Sequence, residues 1–188
     1  MDAETLNNSW HYYSIVEKDL ANTSQYVEPR GQENVYSLEF AKILILACTE
    51  VESLFKILCS EITGNSVSAN MASYKSTILG KYPRIVDATV SVSRLGSSIK
   101  PFGTWNSGKL TWWDAYQKVK HDRGKCFSEA TYMNATYAVA AMHILLLYLS
   151  RITNGSPGGS IGYLHTQYSS QLLCARAPKE LPDFEVIS

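Results

Sequence analysis

Apolar positions along the chain fall into seams with alternating three- and four-residue spacing, the mark of helices with one face in a core. The longest seam runs through Ala41, Leu44, Cys48, Val51, Phe55, Leu58 and Ile62 and predicts a helix over residues 35–62. Ile43, Ile45, Leu46, Leu54 and Ile57 widen it, so this helix is expected to be buried on more than one side. Ser37 stands where an N-cap belongs, and Gly64-Asn65 where the helix should stop. A second seam, Tyr132, Ala135, Val139, Met142, Leu146 and Leu149, predicts a last long helix over residues 128–151. Trp10, Tyr13, Val16 and Leu20 mark a first helix over 8–27, which Glu28-Pro29-Arg30-Gly31 ends.

The middle of the chain is less regular. Residues 70–80 read as a short helix ending at Gly80, before the break at Tyr82-Pro83. From 85 to 102 the period shifts to two, with Val86, Ala88, Val90 and Val92 against Thr89, Ser91 and Ser93. That pattern predicts a strand, with Ser98-Ile99-Lys100 returning after Gly96 as a hairpin. Residues 101–110 are a loop, and Thr111 caps a helix that runs to Arg123 and ends at Gly124. Asn154-Gly-Ser-Pro-Gly-Gly is a flexible break, and 160–188 show no period. The expected fold is mainly α: a helical bundle over 1–153 with a small β-hairpin insertion. An irregular tail over 154–188 then packs on the domain or on a partner.

Composition narrows the function more than the fold. The 188 residues suit one domain. Lys plus Arg and Asp plus Glu number 17 each, so the formal net charge is zero and any nucleic-acid contact must be a local patch. Zero net charge also does little to hold copies apart, which suits an oligomer. The opening Met-Asp-Ala-Glu lacks the basic start and apolar run of a secretion signal. The most apolar stretch, 138–149, is short for a bilayer and contains His143. A soluble cytoplasmic protein with no membrane partner is expected. Cys48, Cys59, Cys126 and Cys174 show no zinc-ligand spacing, and there is no H-E-x-x-H, P-loop or G-x-S-x-G. No metal and no cofactor are expected.

The chemistry concentrates in W-W-D-A-Y-Q-K-V-K-H-D-R, residues 112–123. On a helix, Trp112, Tyr116 and Val119 share the core face, while Asp114, Gln117, Lys118 and His121 share another. Lys120, His121 and Arg123 then gather as a cationic group at the helix end, with Asp122 beside them. A histidine there can move protons, and Lys and Arg can hold phosphate charge. Together they could cleave RNA without metal, using the 2′-hydroxyl as nucleophile. The plainer reading is that cations in a last helical turn complement the helix dipole. Glu50 and Glu52, on the long helix, either orient this set across the bundle or form a solvated edge, with Lys56 as a partner for Glu52. His143 reads as a satisfied core histidine or an interface residue. The adjacent pairs Tyr12-Tyr13 and Trp112-Trp113 each force one aromatic off the core face, a sign of an interface or ligand contact.

The long apolar helix with its paired acids, the later Y-Q-K-V-K-H-D-R helix, Cys126-Phe127 and the final Ala/Leu-rich helix together resemble the HEPN domains over about residues 8–152. That resemblance implies a helical bundle that forms homodimers. It also implies, in active members, a metal-independent endoribonuclease of bacterial defence or toxin systems, with RNA as substrate and a second protein of the system as partner. Family sites carry an Arg a few positions before a His. Here the His is His121 and Gln117 stands where the family often has Asn, but the Arg is absent, with Tyr116 five positions before His121. On this analogy His121, Arg123 and Lys120 are the catalytic candidates. Gln117, Asp114, Tyr116 and Glu50 are the supporting set. The alternative is a non-catalytic dimeric module that binds a partner protein or a nucleotide-like ligand.

Overall fold

A computed structural model describes residues 1–66, 70–153 and 172–175. Helix α1 spans Ala3–Asn22, α2 Leu38–Thr63, α3 Met71–Lys81, α4 Thr111–His121, the short α5 Arg123–Cys126 and α6 Tyr132–Thr153. Strands β1 Val90–Val92, β2 Ser97–Ile99 and β3 Leu173–Ala175 complete the described elements. The protein is mainly helical, as the seams predict.

The pair α2 and α6 is the centre, and the two helices share the most extensive contact in the molecule. Their seams explain this. Leu44, Val51, Phe55 and Leu58 of α2 and Val139, Met142, Leu146 and Leu149 of α6 are all fully buried. Burying one such side chain contributes about 1.5–3 kcal/mol, so these seams hold the bundle. Helix α1 packs against α6 and α2, α4 against the same two helices, and α3 against α2. Helix α6 is apolar enough in length and composition to cross a bilayer, but 83% of its apolar window is buried inside the bundle.

The helix ends follow local chemistry. Ser37 accepts a hydrogen bond from the Phe40 amide at 3.1 Å and Gly64 takes the left-handed conformation at φ 72°, so α2 starts and stops as expected. Helix α1 starts earlier than residue 8, because Asp2 accepts from the Thr5 amide at 2.7 Å. It ends at Asn22 rather than 27. There the Thr23 and Ser24 hydroxyls donate to the Leu20 and Ala21 carbonyls, each at 2.6 Å, and a 3₁₀ turn follows. Two expectations at α4 fail. Leu110, not Thr111, occupies the cap position, and no side chain caps the helix. The helix stops at Asp122 rather than Gly124, because Asp122 leaves helical geometry (φ −145°, ψ 66°) and accepts from the Lys125 amide at 3.2 Å, opening α5.

The hairpin forms, though later than its alternation suggests. Pro83 opens a 3₁₀ turn over Pro83–Asp87, which leaves Val86 half-buried and puts Ile85 in the core. β1 and β2 then pair antiparallel, with Val90 opposite Ile99 and Val92 opposite Ser97, around Gly96 at φ 65°. β3 pairs with the other edge of β1, giving the order β2-β1-β3. Part of the stretch expected to be irregular is therefore a strand. Buried Glu17 of α1 anchors it by accepting from the Leu172 and Leu173 amides at 3.2 and 3.1 Å. The Asn154-Gly-Ser-Pro-Gly-Gly break and the rest of the tail lie outside the described residues.

Candidate functional site

The structure does not bring the predicted site residues into one cluster. Trp112, Tyr116 and Val119 are buried, as their spacing requires. Trp112 is held by its indole N–H, which donates to the Pro101 carbonyl at 2.8 Å. His121 ends α4 and Arg123 opens α5. Both are exposed, and neither has an ion-pair partner among the described residues. Lys120 leans back over the Tyr116 ring, 5.3 Å from its centre. Its hydrogen bond with Tyr116, and the Glu52 carboxylate on α2, hold its pKa above the ordinary lysine value. Lys118 is neutralised by Glu129 at 2.8 Å and Asp114 at 3.4 Å, and Lys125 by Asp122 at 3.4 Å. Among the described residues His121 and Arg123 stay exposed without an ion-pair partner.

The two acids in the middle of α2, Glu50 and Glu52, part company. Glu50 faces α1, where it is half-buried, takes a hydrogen bond from Ser9 and lies near Tyr12. Burial pushes its pKa up despite the Ser9 bond. Glu52 is the acid whose field reaches Lys120, and it pairs with Lys56 at 3.4 Å. By position, Glu52 rather than Glu50 is the acid near Lys120.

Asp114 and Gln117 turn toward a cleft of about 410 Å3 between α3, the 101–110 turn and the start of α4. Volumes of this order hold small ligands. Its walls are mostly apolar, formed by Met71 and Ala72 of α3, Trp105 and Leu110 of the turn, and Trp113 of α4. An aromatic stack supports it from below. Phe55 lies 5.3 Å from Trp105 and 6.2 Å from Trp113, and Phe102 stacks on Trp105 at 5.2 Å. Trp105 is itself buried, so the accessible ring is that of half-buried Trp113. The Lys75 ammonium donates to the Gly108 carbonyl at 3.3 Å, tying α3 to the turn and fixing the cleft mouth. The aromatic pair Trp112-Trp113 pointed here, since one ring had to leave the core. The contribution of α3 and Trp105 had no sequence signal, because it depends on the path of the 101–110 turn.

His143 is a core residue. Its Nδ1 lies 2.9 Å from the Tyr13 hydroxyl, and Trp10 and Tyr13 meet its ring edge-on at 5.7 and 5.0 Å. The Trp10 indole donates to Ser150 at 2.9 Å beside it. Cys48 and Cys59 are buried in α2. Burial raises both thiol pKa values, that of Cys59 to about 11, so neither is a ready nucleophile. Among the described residues no three His, Cys, Asp or Glu side chains converge as metal ligands. No family model, curated protein or solved structure matches the chain.

Proposed function

We propose that this chain is a HEPN-like helical module of a bacterial defence or toxin system that works by binding rather than by cutting. The observation that carries this reading is the cleft between α3, the 101–110 turn and α4, which is walled by Trp105, Leu110 and Trp113 and gathers Asp114 and Gln117 of the predicted set. Tyr26, 87% exposed, and Leu38, 67% exposed, at the α1–α2 junction supply an apolar surface for a second copy, and the module works as a dimer. Two tests apply. Purified protein mixed with a tRNA and mRNA pool in EDTA should leave the RNA intact, and His121→Ala should change nothing. A fragment screen by ligand-observed NMR should give ligands that Ala72→Trp, which fills the cleft, no longer binds.

A second reading keeps the nuclease. His121 and Arg123 are exposed at one corner without ion-pair partners among the described residues. A second copy could complete a site there, with His121 moving protons and Arg123 and Lys120 stabilising phosphate charge. EDTA-resistant cleavage by wild type that His121→Ala abolishes would put this reading in place of the first.

A further inference from the structure

The walls of the α3–α4 cleft are apolar, but its mouth is not electrically neutral. Two lysines stand there, Lys75 on α3 and Lys109 on the turn. Neither has a carboxylate partner among the described residues, and Lys75 is bonded only to a neutral carbonyl. The one acid in the lining, Asp114, already faces Lys118 at 3.4 Å. The mouth thus presents two uncompensated positive charges over a wall that ends in the accessible Trp113 ring. Gln117, on the same wall, adds a neutral group that can both donate and accept.

From this placement we infer that the cleft takes a planar aromatic small molecule bearing one anionic group, with the ring against Trp113 and the anion between Lys75 and Lys109. The inference rests on the binding reading above and adds the ligand chemistry to it. A flat ring replaces water on the apolar wall and stacks on the indole. The anion meets ammonium groups that give up no existing ion pair to receive it. A cationic ligand would meet like charge at the mouth, and a purely apolar one would leave both lysines unused.

Three probes with one ring separate these contributions: naphthalene-1-acetate, 1-naphthyl phosphate and the neutral naphthalene-1-acetamide, each titrated calorimetrically into the full chain at low salt. Both anions should bind about tenfold or more tightly than the amide, a difference of the size that one well-placed charge contact supplies. The better anion identifies a carboxylate or a phosphate as the natural head group. Lys75→Met with Lys109→Met should bring the anions down to the affinity that the amide shows for the same variant. Both positions are at the cleft mouth, outside the core, and a thermal melt of the double variant confirms the fold. Equal binding of anions and amide overturns the charge inference and leaves the cleft as a binding site. Binding that Ala72→Trp does not reduce, or no binding of any probe, overturns the cleft reading as well.

Discussion

Two of the histidines that lie in helices, His143 and His121, have opposite surroundings. His143 sits in α6 with its ring nitrogen 2.9 Å from the Tyr13 hydroxyl and two aromatic rings against its edges. His121 sits at the open end of α4 in water, among charges that mostly satisfy one another. In sequence, His121 has the company that suggests chemistry and His143 has only apolar neighbours. In the fold, the built polar network belongs to His143. Residue types clustered along a helix end cost nothing to place there. A polar group in a core survives only where partners have been arranged for it. Density of reactive side chains in a short stretch is therefore weaker evidence than a partnered polar group in an apolar seam.

The sharpest way to break that contrast is to truncate the buried member. His143→Ala should lower unfolding stability by about 3 kcal/mol, as removal of a large buried side chain does, because it opens a cavity and takes away the Tyr13 contact. Urea unfolding followed by fluorescence reads it directly. A loss below about 1 kcal/mol, the median of ordinary substitutions, would mean the network contributes little.

Trp112→Phe is next in size. It keeps most of the ring and removes the donor to the Pro101 carbonyl, a bond of 2.8 Å in the core. Leaving that carbonyl without its partner should cost about 1–3 kcal/mol. Pro101 opens the turn that carries Trp105, so the variant should also weaken ligand binding in the cleft. Stability loss with unchanged cleft binding would separate the turn from the site.

Much of this was legible in the sequence, for physical reasons that differ by region. The α2 seam, its Ser37 cap and its Gly64 stop all read true because each depends on residues within a turn or two of one another. The end of α4 misread because Gly124 and Asp122 are both competent boundary residues, and only the competition between them places the break. Val86 misread because Pro83 imposes a turn that outweighs the alternation. Glu50 and Glu52, paired in sequence, differ by angle. Residues two apart on a helix point about 200° apart, so one faces α1 and the other the α4 side. The cleft was not legible at all beyond its Trp pair, since three separate segments make it.

Glu50 offers a smaller test of the same contrast between partnered and unpartnered groups. Burial raises its carboxyl above the ordinary value of 4.5, with only Ser9 opposing. A raised folded pKa means the folded state prefers the protonated form. Its contribution is therefore most favourable below pH 4.5 and is lost as pH rises through the raised folded value. Glu50→Gln keeps an acceptor for Ser9 and removes the charge. The variant should gain stability over wild type as pH rises from acid to neutral, and the two should converge at low pH. Parallel stability curves for the two proteins would place Glu50 in water instead.

The smallest expected effect is also the one that decides most. His121→Ala and Arg123→Ala should each change stability by no more than about 0.5 kcal/mol, the usual range for exposed positions without partners. Fold loss cannot then explain any functional change in these variants. If either one abolishes an activity of the intact protein while its melt stays with wild type, the open corner of α4 is a site although neither residue has an ion-pair partner among the described residues. If both behave as wild type in RNA cleavage and in cleft binding, the cations at the end of α4 serve the helix dipole and solubility, and the chemistry to pursue is that of the cleft, at Trp113 and Gln117.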